Sequence, residues 1–138
     1  MRDIKFRAWD KRKEVMREVA VLHFNKLTKK VSGIEYWTGE LSLKSIHANY
    51  INVMQYTGLK DKNGVEIYEG DIVKFSCNDG FTYASDQMTV IKESEHHSGL
   101  VCQYLNSGVQ MRIFNIAGYE YEVIGNIYEN PELLAGAK

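Results

Sequence analysis

The stretch 56-YTGLKDKNGVEIYEGDIVKF-75 decides how the chain is read. Asn63-Gly64 is a hairpin-turn pair, because both residues tolerate positive φ. Asp61 and Lys62 extend that loop. Val65, Ile67 and the flanking Tyr68 predict a short strand or extended segment on its far side. Glu69-Gly70-Asp71 breaks it, and Ile72 to Cys77 opens a longer strand. Gly70 permits a sharp bend, and Asp71 can accept a hydrogen bond from its own following backbone. The stretch therefore reads as scaffold: a turn at Asn63-Gly64, aromatic packing by Tyr56 and Tyr68, and a strand entry at Gly70-Asp71.

Upstream, Ile4, Phe6 and Ala8 alternate with polar residues, as a half-buried strand does. Asp10 to Lys13 make a turn, and Val15 to Phe24 resume an apolar-rich strand. Asn25 to Lys30 interrupt again before a strand over Val31 to Trp37. The segment 41-LSLKSIHANYINVMQ-55 fits neither period and reads as a connector ending in a short strand from Ile51 to Tyr56. Downstream, strands are expected over Met88 to Lys92, Leu100 to Leu105, Val109 to Phe114 and Tyr119 to Tyr128. Turn signals at Asn78-Asp79-Gly80 and Asn106-Ser107-Gly108 separate them. Asn130-Pro131-Glu132 is suited to cap a short terminal helical turn. Short strands at short intervals predict an all-β fold, either a small barrel or a sandwich. No repeat or low-complexity tract is present.

The chain has 138 residues, 44% of them hydrophobic and 25% charged. Those are the values of a single self-sufficient globular domain rather than of a disordered chain. The net charge of −1 excludes a global basic field for nucleic acid. The charge is uneven, with eleven Lys/Arg against six Asp/Glu in residues 1–50, and six against twelve in the remainder. Two solvated faces of opposite sign are one reading; a basic partner-binding arm is the other. The opening MRDIKFRAWD carries charge where a signal peptide has an apolar core, and no apolar run reaches membrane-spanning length. A soluble protein of a reducing cytoplasm with no membrane contact is expected, with Cys77 and Cys102 as free buried thiols.

Glu93, Glu95, His96 and His97 in 93-ESEHHSG-99 carry metal-ligating or general-base groups. Adjacent histidines on a strand face opposite sides, so a solvated loop is the expectation, with no metal and no cofactor. Cys102 beside either histidine imitates a Cys–His pair, yet no motif supports it. Asp61, Glu66, Glu69 and Asp71 form an acidic cluster in which Asp61 and Asp71 serve turns and Glu66 and Glu69 stay in water. Tyr36, Trp37, Tyr50, Tyr56, Tyr68, Phe75, Tyr104 and Phe114 can stack bases on a basic barrel, but the downstream half is acidic and its aromatics are needed for a core. A nucleic-acid contact, if made, falls to Arg2, Lys5, Arg7, Lys11, Arg12 and Lys13, with alternation placing Lys5 and Arg7 on one strand face.

Three blocks carry a resemblance: IKFRAWD at 4–10, MQYTGLKDKNGVEIYEGDIV at 54–73 and YEVIGNIYENPELL at 121–134. In order and spacing they are similar to the YopX family of phage and prophage proteins. The resemblance implies an SH3-like barrel over 56–138, entered at Gly70-Asp71, behind a smaller β-rich part over 1–55. It implies expression in a bacterial host and supplies no catalytic residues, since the family has no assigned activity. The expectation is a non-enzymatic phage accessory protein that acts by binding. Its partners are expected to be copies of itself, through opposed charge and strand edges, or a host or phage protein. The alternatives are a nucleic-acid binder using the basic N-terminal segment and, last, a metal-dependent enzyme around Glu95, His96 and His97.

Overall fold

The structure, a computed structural model, describes residues 3–96 and 98–135. Its strands are β1 (Phe6–Asp10), β2 (Val15–Phe24), β3 (Val31–Trp37), β4 (Leu43–His47), β5 (Ile51–Lys60) and β6 (Glu66–Tyr68). They continue as β7 (Asp71–Asn78), β8 (Tyr83–Glu93), β9 (Leu100–Tyr104), β10 (Gln110–Arg112) and β11 (Tyr119–Asn126). A 3₁₀ turn spans Ala48–Tyr50, and α1 (Glu132–Ala135) is the one short α-helix among the described residues. The fold is all-β. Its two antiparallel sheets run in the orders β4-β3-β2-β1-β5-β6 and β10-β9-β8-β7-β11. The chain divides into two compact units, one ending at Gln55 and the other beginning at Tyr56.

The first unit is a meander whose sheet is forced to curl. His47 lies level with Gly33 and, through it, with His23, whereas Ile51 lies level with Asp10 and Val15. On a flat sheet these two points sit four strand spacings apart and at opposite ends of β2, roughly 30 Å in all. Only Ala48–Tyr50 joins them. Four chain steps reach about 14 Å at full extension and less in a 3₁₀ turn. The sheet must therefore bend, and β2 changes register against β3 between Val19 and Val21 and between His23 and Phe24, irregularities of the kind that bend a strand. Curling encloses Ala8, Ile34, Tyr36, Ile46 and Ile51, with Val19, Leu22, Val31 and Val53 packed around them.

The second unit is organised by β7. Its alternation turns Val73, Phe75 and Cys77 into a core completed by Ile67, Ile91, Cys102 and Tyr121. Phe75 is the centre, with ring centroids of Tyr121, Tyr119 and Tyr104 at 5.3, 6.0 and 6.3 Å. Burying a ring of that size contributes about 1.5–3 kcal/mol. Ile67 brings β6 against this core, so the 56–75 stretch contributes to it from both β6 and β7.

The elements differ from the sequence reading at several ends and over one whole segment; β1 begins at Phe6 and β11 stops at Asn126. Residues 41–55 are not a connector with one short strand: β4 pairs fully with β3, and β5 runs on to Lys60. Only Ile46 of β4 is buried, so the strand has no apolar alternation to read. β8 begins at Tyr83 rather than Met88; its first half is largely exposed and so shows no apolar alternation. β10 stops at Arg112, short of Phe114.

Candidate functional site

The hairpin that opened the question is held by Asp61. Its Oδ1 accepts from the amides of Asn63 at 2.8 Å and Val65 at 2.9 Å. Its Oδ2 accepts from Val123 of β11 at 2.9 Å. Its backbone N–H donates to Val65 O at 2.7 Å and its carbonyl accepts from Gly64 N at 3.0 Å. Of the Asn63-Gly64 pair only Gly64 takes positive φ, at 82°. A type I′ turn needs both, so the side chain of Asp61 does the work assigned to the pair. Lys62 N donates to Tyr121 O at 2.9 Å, which ties the loop to the outer edge of β11 a second time.

Gly70, at φ 86°, bonds in two directions: its N–H donates to Ile91 O at 2.7 Å and its carbonyl accepts from Ile127 N at 2.9 Å. Asp71 is buried and accepts from Tyr68 N at 2.8 Å, three residues back. Glu66 and Glu69 are half-buried, not free in water, and Tyr68 Oη approaches Glu66 Oε1 at 3.5 Å. Tyr56 and Tyr68 pack with centroids 5.3 Å apart. The acidic cluster is thus distributed among turns, and it does not converge on one point.

The basic segment is dispersed as well. β1 starts at Phe6, so Lys5 precedes the strand and lies 4.0 Å from Asp3, while Arg7 is half-buried on β1 opposite Glu18 and Met54. Lys11, Arg12 and Lys13 occupy the exposed β1–β2 turn, but Arg12 leans on Tyr50 at 5.2 Å and its Nε lies 3.5 Å from Asp10. Arg2 lies outside the described residues. A second basic group, Lys26, Lys29 and Lys30, sits on the β2–β3 turn at the far end of β2. Ten strand residues separate the two turns, roughly 30 Å along the strand. Sequence reasoning put Asp10 in the first turn but not its burial: it is a wholly buried acid at the root of that turn. The signal was there: an Asp followed by charged residues at a strand end is an Asx-turn pattern.

Glu95 and His96 are exposed, and Glu95 pairs with Lys92 at 3.7 Å. His97 lies outside the described residues. No group of three metal-ligating side chains occurs among the described residues. Burial pushes the Cys102 thiol up to about 11, which removes the thiolate a Cys–His pair needs.

The feature that sequence reasoning missed is at the tip of the β7–β8 hairpin. Asp79 Oδ1 accepts from Phe81 N at 2.8 Å and Thr82 N at 2.6 Å, and Tyr119 Oη donates to its Oδ2 at 2.9 Å. This hydrogen-bonded turn holds Phe81 100% exposed, with Tyr83 76% exposed. Below them lies a depression of about 310 Å³ lined by Ser76, Asn78, Tyr83, Ser85, Gly118 and Glu120. A bulge opens it: the β7–β8 register shifts between Phe75 and Cys77, and Asp86 at φ 49° donates its amide to Ser76 Oγ at 2.9 Å. Such a volume is at the small end of ligand-binding clefts. A smaller one of about 170 Å³ adjoins it at Glu120, walled by Phe114, Tyr119 and Tyr121.

Residues 5–135 match the family described as YopX protein. The chain belongs to the YopX family. Among solved structures, protein EF1440 from Enterococcus faecalis is similar, with 31% identity, 97% of this chain and 99% of that chain covered, and a TM-score of 0.61. Protein yopX from Bacillus subtilis is similar in fold, with 23% identity, full coverage of both chains and a TM-score of 0.62. No curated protein matches. In this YopX-family chain no helix among the described residues is long and apolar enough to cross a membrane.

Proposed function

We propose that this YopX-family chain is a non-catalytic phage or prophage accessory protein that works in the bacterial cytoplasm by binding, either to further copies of itself or to a host or phage protein. The observation that carries the reading is Phe81, a fully exposed ring on a turn locked by Asp79 and Tyr119. An apolar side chain presented on a pre-ordered backbone loses little entropy on docking, which is how interface anchors behave. The opposite charge of the two halves of the sequence supports attraction between copies. For the second unit we further propose an SH3-like barrel. The coverage of the core by Ile67 and the two bonds from the Asp61-Lys62 loop to the outer edge of β11 support such closure.

The test is sedimentation of the chain across concentration and salt, beside Phe81→Ser, followed by capture from host lysate with and without nuclease. The reading expects either wild-type assemblies that Phe81→Ser dissolves, or a captured protein that survives nuclease and is lost in the variant. A monomer whose captured partners all vanish with nuclease would instead favour nucleic acid. The basic turn at Lys11–Lys13 would then be the contact, with Lys5 and Arg7 beside it in sequence.

A further inference from the structure

We propose that Asn63 is a site of spontaneous deamidation, and that the Asp61 clamp holds the reaction off while the hairpin is closed. Asn63-Gly64 is the one Asn-Gly pair in the sequence, and Asn63 is exposed. Gly64 has no Cβ to obstruct attack by its own amide nitrogen, and no neighbouring atom lies within 4 Å of the place a Cβ would take.

The chemistry needs only water and base. The Gly64 N–H loses its proton to solvent base, and the nitrogen attacks Cγ of Asn63. A new C–N bond closes a five-membered succinimide, and the side-chain nitrogen leaves as ammonia after taking up a proton. Water then adds to one of the two ring carbonyls and the ring C–N bond opens. The products are aspartate or isoaspartate at position 63. Nothing is oxidised or reduced, and the chain gains one negative charge.

In the closed hairpin the attacking nitrogen is engaged. Gly64 N donates to Asp61 O at 3.0 Å, and Asn63 N and Val65 N are both held on Asp61 Oδ1. Asp61 is itself buried and anchored to Val123 in β11. The Gly64 amide can turn toward Cγ only when this set of bonds opens, so the rate is set by local opening. The isoaspartate product inserts an extra backbone methylene beneath that clamp, so the modified loop cannot re-form the same bonds.

Peptide mapping by mass spectrometry reads the conversion. The full chain is incubated in mildly alkaline buffer, natively and in urea. In urea, Asn63 is expected to convert ahead of Asn78 and Asn106. In the native chain it is expected to convert at least about tenfold more slowly than in urea, the protection that a closed local structure confers. Folded Asp61→Ala, checked by circular dichroism, is expected to lose most of that protection. Should that variant fail to fold, hydrogen exchange at the wild-type Gly64 amide replaces it, with a protected amide expected. Conversion of Asn63 no faster than Asn106 in urea overturns the site. Equal native and unfolded rates, a folded Asp61→Ala that converts as slowly as wild type, or an unprotected Gly64 amide overturns the clamp.

Discussion

Arg17 donates from Nε and Nη2 to Oδ2 of Asp10, at 3.3 and 3.2 Å, across the first hairpin. The other oxygen of Asp10 accepts from the amides of Arg12 at 3.0 Å and Lys13 at 3.3 Å. Asp10 is wholly buried, and a carboxylate so placed is tolerated only because donors surround it. The guanidinium also lies 4.5 Å from the centre of the Tyr36 ring. One acid thus fixes the β1–β2 turn, neutralises a cation and seats it on β3.

Asp10→Asn keeps an acceptor for the turn and removes the charge. It is expected to cost about 1.5–3 kcal/mol at neutral pH, the value of hydrogen bonds to a charged group. Burial raises the Asp10 pKa, but the turn amides and guanidinium outweigh it, leaving the folded carboxyl below its ordinary 3.8. Its stabilisation is therefore present above that ordinary value and disappears as pH falls through the lowered folded one. Urea midpoints of wild type and variant should differ widely at pH 7 and converge in acid. A gap that does not narrow would contradict this account.

Gly70→Val should lower the melting temperature more than Lys62→Val. A β-branched residue at φ 86° is strained by about 1–3 kcal/mol, and the two backbone bonds of Gly70 depend on that conformation. The side chain of Lys62 is about half exposed and meets Glu122 at 3.8 Å, a surface pair worth about 0–1 kcal/mol. Equal melting temperatures would remove Gly70 from the entry to β7.

Asp61→Ala should cost about 2–4 kcal/mol, since it strands the amides of Asn63, Val65 and Val123 together. Hydrogen exchange should report the loss at Val123, far away in sequence, as strongly as at Val65. Protection retained at Val123 would mean that Asp61 serves the loop alone.

Cys102 should resist alkylation in the native chain at pH 8 and react once urea is added. Burial holds its pKa at about 11 and shields the sulfur. Rapid native labelling would mean that the second core opens readily.

Apolar-rich runs bounded by turn residues were legible from the sequence. Val15–Phe24, Val31–Trp37 and, to within one residue, Leu100–Tyr104 lie where such runs put them. β4 and the first half of β8 were not, because each is held mainly by backbone pairing and exposes most of its side chains. A strand without a buried face leaves no period to read. The roles of the acids were half legible. Their turn chemistry follows from local spacing, but the reach of Asp61 to Val123 spans 62 residues, and no local pattern records it.

What the residues determined by themselves is the all-β class, the turn positions and the kinship with the YopX family, since propensity, spacing and motif are local properties. What only the tertiary structure decided is the curl that encloses the first core, the closure of the hairpin onto β11, and the exposure of Phe81. Each depends on which distant backbone groups meet. An aromatic at a turn reads as a core residue until the chain is folded and nothing covers it.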